Sequence, residues 1–146
     1  MRSVLQPRPA ERGQTLIEFA LLAPVIILFL FMIVDFGIAM DRRIVLQHAV
    51  REGARYAAVT TDCAAIQART EAQAQGIIDV GDVTVSYESN PAPAGDNVSV
   101  KAHFTYQLAI LDTISHAFGV DAGSIDMTPS ASARLELAVT NAGGCP

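Results

Sequence analysis

The 146-residue chain has no tryptophan, a single lysine (Lys101) and only two cysteines, Cys63 and Cys145. Ten bases face fifteen acids, for a formal charge of −5. Three of the bases, Arg2, Arg8 and Arg12, stand in the first 13 residues beside one acid, Glu11, so that stretch carries +2 and the remainder −7. An acidic body without clustered bases argues against nucleic acid, whose phosphates demand grouped Lys or Arg. Metal ligands are equally sparse. The two cysteines and the three histidines, His48, His103 and His116, are scattered without the spacing of a metal site, so no metal is expected. There is no glycine-rich phosphate loop, Gly143-Gly144 has the look of a flexible tail, and no histidine sits in a motif with a Ser, Cys or acid partner. Neither catalytic residues nor a cofactor are therefore expected, and the chain does not read as an enzyme.

Charge is also missing from one long stretch. Residues 19–34 are nearly continuous Ala, Val, Ile, Leu, Phe and Met. Extended to Met40 with Asp35 inside, the run has about the 20 residues needed to cross a bilayer. Glu18 and Asp35 then lie about 25 Å apart along a helix, slightly less than the hydrocarbon thickness, so each can rest near an opposite interface. A cleaved secretory signal is the competing reading. It fits poorly, because the apolar run is too long and no small-residue cleavage site follows; Asp41, Arg42 and Arg43 come instead. Pro24 removes one backbone donor and would kink the helix. Arginines flank the run on both sides (Arg2, Arg8, Arg12; Arg42, Arg43, Arg51, Arg55), so the positive-inside rule leaves orientation open.

The junction before this run is the most informative stretch: Glu11-Arg12-Gly13-Gln14-Thr15-Leu16-Ile17-Glu18-Phe19. A polar leader ends in Gly, an apolar helix follows at once, and one acid interrupts it five residues beyond the Gly. The run GQTLIEFALLAPVIILFLFMIVDFGIAMDRRIVLQHAVREGARYAA resembles the TadE/TadF-like family of Tad pilus assembly, which belongs with the type IV pilin-like proteins. The resemblance is specific over residues 13–58 and loose beyond. It implies a leader of residues 1–13 cut after Gly13 by a prepilin peptidase, exposing the Gln14 amine, and a retained membrane helix over 14–40. It also implies a cytoplasmic N-terminus and an exported domain over 41–146. Glycine suits a cleavage site because the enzyme can hold its bare backbone closely. An acid in lipid is costly unless a cation meets it, and by the resemblance Glu18 would pair with the new amine of a neighbouring subunit. The implied role is that of a minor pilin or pseudopilin of a Tad (Flp-type) pilus. Its implied partners are the inner membrane, the prepilin peptidase, other pilin-like subunits, the assembly platform and an ATPase acting at a distance. A membrane-tethered binding or adhesion module outside any filament is the alternative. The major pilin is a third reading, but the exported domain is large for the short Flp-type subunits.

The expected fold is α+β, the long helix packing on a small antiparallel sheet. Residues 41–60 continue the helix. Arg43, Gln47, Arg51 and Arg55 form a polar stripe suited to solvent or lipid headgroups. Leu46, Ala49, Val50, Gly53 and Ala57 form a small, apolar face suited to the chain's own sheet or a partner, the former being favoured. A second helix is expected over 63–78, broken at Gly81. Strands follow at 83–87 and 97–108, the latter with the clearest period-two pattern and with Lys101 and His103 facing out. Between them 89–96 is a loop. Residues 110–118 suit a short helix or lid ending at Gly119, and 130–139 a last strand with Arg134 and Glu136 outward. Cys63 and Cys145 are either two unrelated thiols or one disulfide of an exported domain. Their position past the apolar segment favours the bridge, which would close a loop of about 80 residues, worth about 4–5 kcal/mol in the chain-entropy model.

Overall fold

The computed structural model describes residues 9–117, 119 and 123–140. The first helix, α1 (Pro9–Ala57), is 49 residues long and includes Pro24. It starts earlier than the glycine junction suggests. Proline fits a first helical turn, where its missing N–H has no partner to lose, and Ala-Glu-Arg after it continues the helix.

Toward its C-terminus, α1 is amphipathic. Ala39, Leu46, Ala49, Val50, Ala54 and Ala57 are buried along one side, while Arg43, Arg51 and Arg55 are exposed on the other. The small-residue face meets the chain's own sheet, as expected from its composition, and also the second helix, α2 (Cys63–Gln73). Asp62 starts α2 by accepting from the Ala65 amide at 3.3 Å, the usual way an Asx side chain satisfies an orphan donor. Ile66, Gln67 and Thr70 form its buried side. Gln67 Nε2 donates to the Val83 carbonyl at 2.9 Å and so ties α2 to the sheet. On the outer side, Arg69 and Arg55 both reach Glu52, at 3.1 and 3.2 Å. Hydrogen bonds from Arg69 and then Arg55 hold the Glu52 carboxyl below its usual value. That small contribution is present above the ordinary carboxylate range and is lost as pH falls through the lowered value.

Helix α2 stops well short of residue 78. Gln75 and Gly76 take positive φ values of 55° and 76°, the left-handed conformation that ends helices and that glycine adopts at no steric cost. Gly81 lies inside a short 3-10 turn, Val80–Asp82, rather than at the helix end.

Three strands, β1 (Val83–Tyr87), β2 (Asn97–Ala102) and β5 (Ser130–Arg134), form an antiparallel sheet in the order β1-β2-β5. The register sets Val85 opposite Val100 and Val100 opposite Ala131. Val83, Val85, Val98, Val100 and Ala102 are fully buried toward the helices, each valine contributing about 1.5–3 kcal/mol on leaving water.

The long strand expected over 97–108 divides at His103. Its second half, β3 (Phe104–Gln107), leaves the sheet and pairs with β4 (Ser124–Met127), a strand the sequence pattern does not announce. The His103 amide donates to the Asp82 carbonyl at 2.9 Å and the Ala102 amide to Pro129 at 3.1 Å, which close off the first ladder. Alternation continues across the break, with Ala102 and Leu108 buried, Phe104 and Tyr106 half-buried, and Lys101 and His103 exposed. Alternation dictates which face is inward but not which strand is the neighbour.

Likewise the last strand ends at Arg134, although Leu135 and Val139 remain buried and Leu137 half-buried. Its neighbour there is the 89–96 loop, whose Pro91 and Pro93 have no N–H for a ladder. Single contacts replace it, among them reciprocal Ala92–Val139 backbone bonds of 2.9 and 2.7 Å. The third helix, α3 (Ala109–Ala117), follows β3 as expected.

Where α1 crosses α2, a methyl group on Gly53 would run into the Thr70 hydroxyl. Gly53→Ala gains helix propensity of about 1 kcal/mol but overpacks this contact by about 1–3 kcal/mol. Chemical unfolding of the full chain in micelles should show net destabilisation, with Thr70→Ala restoring most of it in the double variant.

Candidate functional site on the long helix

The N-terminal part of α1 contacts almost nothing else in the chain. Leu16, Phe19 and Leu21 are 70%, 67% and 71% exposed, and the large apolar side chains as far as Phe36 and Ile38 are mostly exposed too. Within the helix from Gly13 to Ala57, the most apolar 18-residue stretch has none of its residues buried. Each large side chain left in water forgoes about 1.5–3 kcal/mol. A bilayer or a partner's apolar face would recover it, and 18 residues of helix span about 27 Å, close to the hydrocarbon thickness.

Gly13, Gln14 and Glu18 share the exposed start of this segment. All three lie in helical backbone, so the Gly13–Gln14 bond is not extended here. Gln14 Nε2 donates to Glu18 Oε1 at 3.2 Å, one turn away. Glu18 thus has a local polar partner in Gln14. Cys63 opens α2, half-buried against the core. Cys145, and with it the pairing of the two cysteines, lies outside the described residues.

Asp35 has a larger part than its sequence position suggests. It is only 7% exposed. The Tyr106 hydroxyl donates to Asp35 Oδ1 at 2.9 Å, and the Ile110 amide, in the first turn of α3, approaches Oδ2 at 3.4 Å. A helix N-terminus offers unpaired N–H groups and a partial positive charge, both of which suit a carboxylate. Below Asp35 the helix is bare, and from Ala39 upward it is packed. The acid therefore marks where the domain begins to grip α1. No periodicity in the sequence links residues 35 and 106. The available signal was general: an acid inside an apolar run needs a partner, and Tyr106 sits on an inward position of an alternating strand.

Partial burial, then the bond to Asp35 and its charge, raise the Tyr106 hydroxyl above the ordinary tyrosine value, against the pull of Arg42. Such a group contributes stability that is complete below the ordinary value, near pH 10, and is lost as pH rises through the higher folded value. Tyr106→Phe strands a buried acceptor and should cost about 1–3 kcal/mol. Denaturant unfolding of the full chain in micelles checks it, and the variant should also lack part of the wild type's loss of stability above pH 10.

Among the described residues, no group of three or more His, Cys, Asp or Glu side chains is placed to hold a metal ion. No curated protein and no solved structure matches the chain. Residues 13–55, which are α1 from the glycine junction almost to its end, match the family model described as TadE-like protein. Over that helix the chain is similar to the TadE-like family of pilus assembly.

Proposed function

We propose that this chain is a minor pilin or pseudopilin of a Tad (Flp-type) pilus, held in the inner membrane by α1 and helping to initiate or assemble the filament. One observation carries the proposal: an apolar, membrane-length stretch that no other part of the chain covers runs without a break into the helix at the core of the folded domain. A rod built this way passes from lipid to protein surroundings without changing its backbone. The same surface can face acyl chains in the membrane or other rods in a bundle, because both offer apolar contact. The TadE-like match over the same residues supports the pilus rather than an unrelated tether.

In this reading the N-terminus is cytoplasmic and the domain faces the periplasm or exterior. Residues 1–13 are the leader, 14–40 the membrane helix and 41–146 the exported domain. A prepilin peptidase cuts after Gly13, which requires the helical turn around it to open. The Gln14 amine then meets Glu18 of a neighbouring pilin-like subunit, a charged contact that replaces the local Gln14–Glu18 hydrogen bond and sets the packing register. The assembly platform is the further partner. Cys63 and Cys145 form a bridge that ties the C-terminal end to the start of α2 in an oxidising compartment. The role is mechanical and requires no catalytic group.

Four measurements test this. N-terminal sequencing of the membrane-extracted protein should begin at Gln14; a start at Met1 or beyond Met40 overturns the reading. Glu18→Ala should abolish assembled pili while leaving the amount in the membrane unchanged; unaltered piliation would favour a tethered adhesion module instead. Intact mass before and after reduction should differ by two hydrogens, and Cys63→Ser should cost up to about 4–5 kcal/mol in micelle unfolding.

A further inference from the structure

Residues 29, 33, 36, 40, 43 and 47 of α1 follow one another at three- or four-residue steps and so form a single line along the helix. Two clefts open beside that line and meet at Ile125. The lower has a volume of about 400 Å³, with walls from Phe29, Ile33 and Phe36 on one side and Leu111 and Ile125 on the other. Apart from Asp35, already engaged by Tyr106, its lining is apolar. The upper cleft, about 360 Å³, lies between Arg43 and Gln47 of α1 and the turn from Asp126 to Ser130. Together they make one groove, oily at one end and charged at the other.

Its depth follows from the anchor, so this inference rests on the membrane reading above. A hydrocarbon layer of about 30 Å takes about 20 helical residues. Centred between the flanking charges Arg12 and Asp41, it ends close to Phe36. The lower cleft is then at acyl-chain depth. Arg43, about two turns higher, is at headgroup level, within reach for a long side chain that keeps its charge at the interface.

The charges narrow the choice of occupant. Arg43 has no hydrogen-bond or ion-pair partner among the described residues. Asp126 accepts from the Thr105 hydroxyl at 2.7 Å through Oδ1, which leaves Oδ2 open. A second apolar helix laid in the groove would cover the lower half and leave both charges unmet above it. We propose that the groove holds one phospholipid from the leaflet on the domain's side, with a phosphate–ammonium headgroup. Its phosphate meets the Arg43 guanidinium, its ammonium meets Asp126, and one acyl chain fills the cleft between α1 and Leu111. The cleft volume lies within the range of ordinary ligand sites. The lipid seals the junction where the domain leaves the membrane surface.

Native mass spectrometry of the full chain tests this. The protein is taken from carbonate-washed membranes, stripped of lipid in detergent, and titrated with phosphatidylethanolamine or phosphatidylglycerol. We expect a saturable adduct of one lipid per chain, with phosphatidylethanolamine preferred. Arg43→Glu should weaken binding of either lipid about tenfold or more, the effect of losing a charge-assisted contact. Asp126→Asn should remove the preference between headgroups. Arg43 and Asp126 are both exposed, so neither change disturbs the core. Equal binding by wild type and Arg43→Glu, adducts that never saturate, or a chain dimer in place of the lipid adduct would each overturn the proposal. Absence of the chain from the carbonate-resistant membranes would overturn the anchoring reading first, whereas a membrane-resident chain without a selective adduct overturns the lipid alone.

Discussion

Asp35 sits where one helix changes its surroundings, and the rest of the architecture is arranged about that point. Before it, α1 presents apolar side chains in every direction. After it, the same helix narrows to a stripe of alanines, Leu46 and Val50, and the domain packs on that stripe. A carboxylate at the changeover suits neither lipid nor a dry core unless it is hydrogen-bonded. The Tyr106 hydroxyl and the first turn of α3 supply that bonding. A domain attached to a featureless apolar rod could slide by a turn at little cost. One polar contact that is satisfied at a single position makes such a shift expensive, and so fixes the height of the domain on the rod.

Much of this was legible in the residues because burial leaves a periodic trace. The uncharged run 19–34 announced a long apolar helix, and the spacing of Leu46, Ala49, Val50, Gly53 and Ala57 announced the face that packs. Val83, Val85, Val98 and Val100 announced the inner face of the sheet. What periodicity cannot encode is partnership. Residues 97–108 alternate without interruption, yet backbone bonds at His103 and Ala102 pass the chain from one sheet to another. The strand β4 is four residues long and alternates only weakly, so its pairing with β3 had no trace to follow. Ala and Gln tolerate a helix through residue 78, but the left-handed backbone at Gln75 and Gly76 overrides that tolerance and ends α2 sooner.

The candidate site divides along the same line. Gly13, Gln14 and Glu18 stand out by local order along the chain, glycine, then an apolar helix, then an acid at a fixed distance, and the structure sets all three on the exposed start of α1. Asp35 was visible as an oddity, but its partners are 71 and 75 residues away in sequence, and only the fold brings them near. The groove beside α1 is a property of two surfaces meeting, with Ile125 shared between its halves. Arg43, noted in the sequence as one member of a solvated or headgroup-facing stripe, takes on a more particular setting once the turn at Asp126 is seen opposite it.

The strands are short, four to six residues each, and at the end of β5 the backbone groups of Leu135 are already engaged by Gly95 and Asp96. Such edges give another chain little to template on, a common defence against unwanted strand pairing. Copies of this domain brought close together on a crowded surface are thus steered away from merging their sheets. Contact between copies is then left to the uncovered apolar surface of α1, which can pack against another helix without breaking a hydrogen-bond ladder.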